Sequence, residues 1–124
     1  MSATPDSLVQ LVRSRAGGLC ERCGKPASDI HHRQPRQRGG TRREHIHSAV
    51  NCVSLCRLCH DDVERHREQA YADGWLVHSW DDPRDVPWLS HLYRQLVWPD
   101  YAGGLYLYRP TRAELDSTFP RHIA

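Results

Sequence analysis

The apolar positions of this chain change character near residue 71. Up to that point Leu, Val and Ile are scattered, and all ten aromatic residues lie between Tyr71 and Phe119. Leu8, Leu11 and Val12 recur at helical spacing. Thr4-Pro5-Asp6 reads as the start of that helix, with Thr4 as N-cap and Pro5 at the first helical position, and Gly17-Gly18 ends it. Ala27 to His32 reads as a short strand that Gln34-Pro35 breaks. Arg36 to Arg43 is a loop with Gly39-Gly40 at its tip, and Glu44 to His47 is a second short strand. Asn51 to Leu55 is a brief apolar stretch. From Arg57 a helix is expected to run to Asp73, with Gly74 as its stop. Val63 is one of its few apolar residues, so it must pack through a narrow contact or through a metal.

The tail carries its aromatics in short runs: Trp75 to Val77, Val86 to Leu89, Gln95 to Trp98 and Leu105 to Tyr108. Prolines and Gly103-Gly104 punctuate them. This pattern predicts two or three short strands with a hairpin near Gly103-Gly104.

Length and composition narrow the picture. A chain of 124 residues suggests one domain, here a core over about 18–74 with a β-rich extension over 75–124. It buries only a modest core, and the front half is short of apolar residues, a shortfall that a metal crosslink makes up. No apolar run reaches the length of a membrane span, and Met1 to Ser7 lack the basic and apolar regions of a signal peptide. The expectation is a soluble cytoplasmic protein without a membrane partner. In a reducing compartment its five cysteines favour metal over disulfides.

Charge adds a polyanion partner. The net charge is only +2, but residues 13 to 43 carry nine basic and two acidic side chains. Sixteen of the 17 basic residues are Arg, whose planar fork suits phosphate oxygens. Arg33, Arg36, Arg38, Arg42 and Arg43 are the expected backbone-phosphate contacts, which position a nucleic acid without reading its sequence. The competing reading is a solvated face.

Two motifs carry chemistry. Cys20-x2-Cys23 and Cys56-x2-Cys59 are two knuckles 32 residues apart, and four thiolates suit a tetrahedral structural zinc. Two disulfides, an iron–sulfur centre or no metal at all are the alternatives. Cys52, the odd cysteine, reads as a small buried hydrophobe. The second motif is His31-His32 with His60. Adjacent strand residues face opposite ways, so one imidazole can bind a metal while the other faces a substrate. His60, at the start of a helix beside a knuckle, can close on the same metal as His31. His45, His47, His66, His78, His91 and His122 read as ordinary packed or surface histidines.

The order Cys-x2-Cys, His-His, Gly-Gly loop, Asn-x4-Cys-x2-Cys-His resembles the HNH endonuclease family, and more narrowly its small zinc-stapled phage and actinobacterial members. The resemblance spans about residues 20 to 66. It implies a ββα-metal core; together with the four-cysteine zinc, the N-terminal helix and the short-stranded extension read above, the expected fold class is α+β. It implies hydrolysis of DNA phosphodiesters, with His32 as general base, His31 and His60 holding a divalent ion, and Asn51 shaping the loop between strand and helix. His31 stands where many members have a metal-binding Asp. Nitrogen ligands shift preference toward Mn2+, Ni2+ or Zn2+ relative to Mg2+, so any of these four is a candidate ion. A third protein ligand is open: Glu64 lies one turn beyond His60, and His66 is less well placed. Asp29 has no role in this reading. By resemblance alone, phage packaging proteins join DNA as expected partners. The alternative function is a zinc-ribbon DNA-binding module without catalysis.

Overall fold

The computed structural model describes residues 4–34 and 46–114. Helix α1 (Asp6–Ala16) begins one residue later than predicted. Pro5, not Thr4, takes the N-cap position, and no side chain caps the helix; the Pro5 carbonyl accepts from the amides of Leu8 and Val9. Gly17 ends the helix at φ 63°, a left-handed conformation that costs glycine nothing. Leu8 and Val12 pack against Ala49 and Cys52, with Ile30 and Leu11 at the edge.

Strand β1 (Asp29–His32) pairs antiparallel with β2 (Cys52–Leu55), His31 opposite Val53 and His32 opposite Cys52. The strand that pairs with β1 is therefore Cys52–Leu55; of the expected strand Glu44 to His47, Ile46 and His47 lie outside any strand, and Glu44 and His45 lie outside the described residues. All four β2 residues are buried. A strand covered on both faces shows no apolar–polar alternation, and its signal in sequence is only a short apolar run.

The predicted long helix is two: α2 (Arg57–Arg65) and α3 (Arg67–Asp73), separated by His66 at φ −121°, ψ 63°. Neither Gly nor Pro causes this break. Gly74 ends α3 at φ 87°, and a Cβ there would come within 1.9 Å of the Pro87 carbonyl oxygen. Trp75, Leu76 and Val77 then run through the core without forming a strand. After a short 3-10 turn (Pro83–Asp85), β3 (Trp88–Ser90), β4 (Gln95–Pro99) and β5 (Leu105–Tyr106) form an antiparallel sheet in that order. The β4–β5 turn falls at Gly103-Gly104 as predicted, with Asp100 Oδ1 accepting from the amides of Ala102 and Gly104.

The main core joins both halves of the chain: Cys20, Val53, Leu55, Cys56, Cys59 and Val63 pack with Trp75, Leu76, Trp88 and Val97. Two buried guanidinium groups lie over the Trp88 ring, Arg15 at 5.0 Å and Arg33 at 4.8 Å from its centroid. Arg15 is forked onto Glu21 at 3.0 and 2.8 Å. Arg33 instead donates to four backbone carbonyls, those of Gly74, Val50, Pro83 and Val86. Such charge-assisted bonds make a buried cation tolerable. Burial still brings the Arg33 pKa down to about 9. Among the described residues no helix is long and apolar enough to cross a membrane.

Candidate functional site

The two cysteine pairs converge. The sulfurs of Cys20, Cys23, Cys56 and Cys59 all lie within 4.8 Å of one another, and Cys23 Sγ is 3.7 Å from Cys56 Sγ. Four sulfurs at ~2.3 Å around one ion stand roughly 3.8 Å apart, so the spacing fits a four-thiolate metal site. The cysteines are free of disulfides. Each knuckle turns its own amide inward: the Cys23 amide donates to Cys20 Sγ and the Cys59 amide to Cys56 Sγ, both at 3.4 Å. Burial, with neighbouring sulfurs adding to it, pushes the Cys59 thiol up to about 12, a cost that a bound cation removes. Arg22 donates to Asp62 of α2 and so ties the first knuckle to the helix that follows the second. Cys52 is fully buried in the α1 cluster, apart from the four.

A second cluster forms where β1 meets α2. One ligand atom each from His31, His60 and Glu64 lie within 4.8 Å of one another, and the rings of His31 and His60 are 5.0 Å apart. Ligand atoms at ~2.1 Å from one ion stand at most about 4.2 Å apart, so small side-chain movements bring all three onto one centre. Two imidazoles and a carboxylate leave coordination positions open for water or substrate. The hydrogen bonds fix which ring nitrogens are left for an ion. His31 Nε2 is 2.8 Å from the Trp75 carbonyl oxygen, which only accepts, so Nε2 carries the proton and Nδ1 keeps its lone pair. Burial holds the His31 pKa down to about 4, and the ring is neutral.

Asp29 enters this site against expectation. Its Oδ2 accepts from His60 Nδ1 at 2.7 Å, which leaves Nε2 of His60 for a metal. Burial disfavours the Asp29 charge, but bonds from His60 and Ser28 and the nearby Arg57 outweigh it and hold the carboxyl below its ordinary value. Carboxylate–histidine pairs of this kind orient metal ligands and raise their basicity. The sequence held one signal for it: Asp29 and His31 are two apart on a strand and share a face.

His32 lies on the other face of β1 and meets His47, Nε2 to Nδ1 at 3.3 Å. One ring donates and the other accepts. His47, read from sequence as an ordinary histidine, is thus the partner of His32. Asn51 is fully buried. Its Oδ1 accepts from the Gln34 amide at 2.7 Å, and its Nδ2 donates to the carbonyls of Gln34 and Ile46. The side chain thereby clips together the chain just before residue 35 and just after residue 45.

The structure corrects one expected nucleic-acid contact. Arg33 has no exposed surface and spends its donors on core carbonyls, because β1 carries it beneath Trp88. Arg36, Arg38, Arg42 and Arg43 lie outside the described residues.

A family model described as HNH endonuclease matches residues 20–66, which run from the first knuckle through β1, β2 and α2. No curated protein and no solved structure matches the chain. Spacing, strand pairing and both clusters fall within the matched segment, and it is over residues 20–66 that the chain is similar to the HNH endonuclease family.

Proposed function

We propose that the protein is a metal-dependent DNA endonuclease in which β1, β2 and α2 act as a ββα-metal unit stapled by zinc at the four cysteines. The observation that carries this reading is the pair of faces on β1. One presents His31 with His60 and Glu64 as a ligand set, and the other presents His32 against His47. A module that only bound DNA would need neither.

In this reading His31 Nδ1, His60 Nε2 and Glu64 would hold a divalent ion, and Asp29 orients His60. When bound, the ion offsets negative charge on the phosphate and on the departing oxygen. His32 accepts a proton from water, for which a neutral imidazole suits near pH 7. The hydroxide attacks phosphorus and the bond to the 3′ oxygen breaks. That oxygen takes a proton from solvent, leaving 3′-hydroxyl and 5′-phosphate ends. His47 holds the His32 ring in place, and Asn51 ties Gln34, at the end of β1, to Ile46.

Plasmid cleavage by wild type and His32→Ala across Mg2+, Mn2+, Ni2+ and Zn2+ tests the reading. Wild type should nick or linearise DNA with at least one ion, and His32→Ala should lose roughly two orders of magnitude or more in rate while retaining DNA binding. Equal activity of the two proteins overturns the role of His32; binding without cleavage under every ion favours the zinc-ribbon alternative.

A further inference from the structure

Beyond the matched segment, three rings form a column. Tyr71 on α3 stacks on His78 at 3.9 Å and 3°, and His78 stacks on Trp80 at 4.4 Å and 5°. The Arg67 guanidinium lies 5.9 Å from the Tyr71 ring at the inner end. At the outer end Trp80 is 77% exposed, the most exposed large apolar side chain among the described residues. One face of the indole is covered by His78; the column presents the other outward.

The column is braced against the strand that bears the histidines. The turn His78–Asp81 closes through the Asp81 amide on the His78 carbonyl. The nearly buried Gln34 amide group donates to the carbonyls of both His78 and Asp81 at 2.7 Å. Just before the turn, the Val77 amide donates to the Arg33 carbonyl. Gln34 and Arg33 directly follow His31-His32. The Trp80 plate is therefore held at a fixed offset from both faces of β1.

We propose that Trp80 is a stacking platform for an unpaired nucleobase of the DNA on which the β1–α2 site acts, an inference that rests on the nuclease reading. A plate with one face already stacked and its turn already closed loses little freedom when a base extends the column. Stacking of this kind tolerates any base, because each has a π-face. Bases inside a duplex already stack on their own neighbours, so the ligand is a nucleotide freed from pairing at a gap, an overhang or a branch. The site then prefers DNA that carries such a nucleotide.

The test measures binding of a fluorescent duplex, and of the same duplex with a short single-stranded overhang, in the His32→Ala background so that no DNA is cut. Adding Trp80→Ala should weaken binding of the overhang DNA about tenfold and leave the fully paired DNA unchanged, while Trp80→Phe restores most of the loss. The overhang DNA should also quench tryptophan emission, and Trp80→Ala should abolish that quenching. Zinc content and thermal unfolding of Trp80→Ala should match the parent, since the side chain is exposed. If both DNAs bind and Trp80→Ala affects them equally or not at all, the platform is refuted while the nuclease reading stands. If neither DNA binds, both fall.

Discussion

Asp29 and His31 share one face of β1, and their hydrogen bonds decide which nitrogen each imidazole turns toward an ion. The bond from His60 Nδ1 to Asp29 spans 31 positions in sequence, so nothing local announces it. Order along the chain gives each motif position its task, and order does not contain a contact made across a helix and a strand. The carboxylate should matter for the ion and little for the fold. Asp29→Ala is expected to weaken Mn2+ binding at the histidine cluster by about 10- to 100-fold, with zinc content and melting temperature in the absence of Mn2+ nearly unchanged. Titration calorimetry on zinc-loaded protein checks this, and an unaltered Mn2+ affinity would remove Asp29 from the site. The histidines themselves were legible because adjacency on a strand separates them onto two faces. Arg15 and Arg33 were not, because an arginine in sequence reads as surface, and only the tertiary fold places their forks on Glu21, on carbonyls and against Trp88.

At the scale of elements, helix ends were easier to read than strands. Gly17 and Gly74 mark their stops for a plain steric reason, since both sit at positive φ. Gly74 adds a close approach: the Pro87 carbonyl occupies the space a Cβ would need, and the Gly74 carbonyl receives Arg33 Nε at 2.8 Å. Gly74→Ala should destabilise the protein by about 1–3 kcal/mol, seen as a lower midpoint in urea unfolding with an unchanged slope. A midpoint equal to wild type would show that α3 and the β3 approach can part at no cost. The misplaced second strand has the opposite origin. Glu44 to His47 has no competing turn signal, whereas Cys52 to Leu55 is too short and too uniformly buried to show a period. The break at His66 has no glycine or proline to announce it.

At the scale of the molecule, the sulfur site and the tail share one core. Cys20, Cys56 and Cys59 pack in the same cluster as Trp75, Trp88 and Val97, and the His91 amide donates to the Glu21 carbonyl beside the first knuckle. Removing the metal with a strong chelator, or substituting Cys56→Ser, should therefore loosen the tail as well as the knuckles. Tryptophan emission should shift to the red as Trp75 and Trp88 meet water, in step with loss of the helical circular dichroism signal. Emission that stays blue after complete metal removal would show that the tail core stands without the staple. The knuckles were fully legible, because two Cys-x2-Cys pairs have few other uses, but their continuity with the aromatic tail depends on Trp88 reaching back to Arg15 and Arg33.

Arg33 also bears on how the protein meets a phosphate. A guanidinium in solvent gathers mobile ions, and its reach contracts to about 8 Å at physiological ionic strength. Arg33 sits where no such ions enter, and among the described residues no carboxylate forms an ion pair with it. Arg15 and Glu21 cancel beside it, so the interior under β1 keeps one uncancelled positive charge. Below its pKa of about 9, that charge sets up an attraction for anions that added salt diminishes far less than it diminishes the pull of surface arginines.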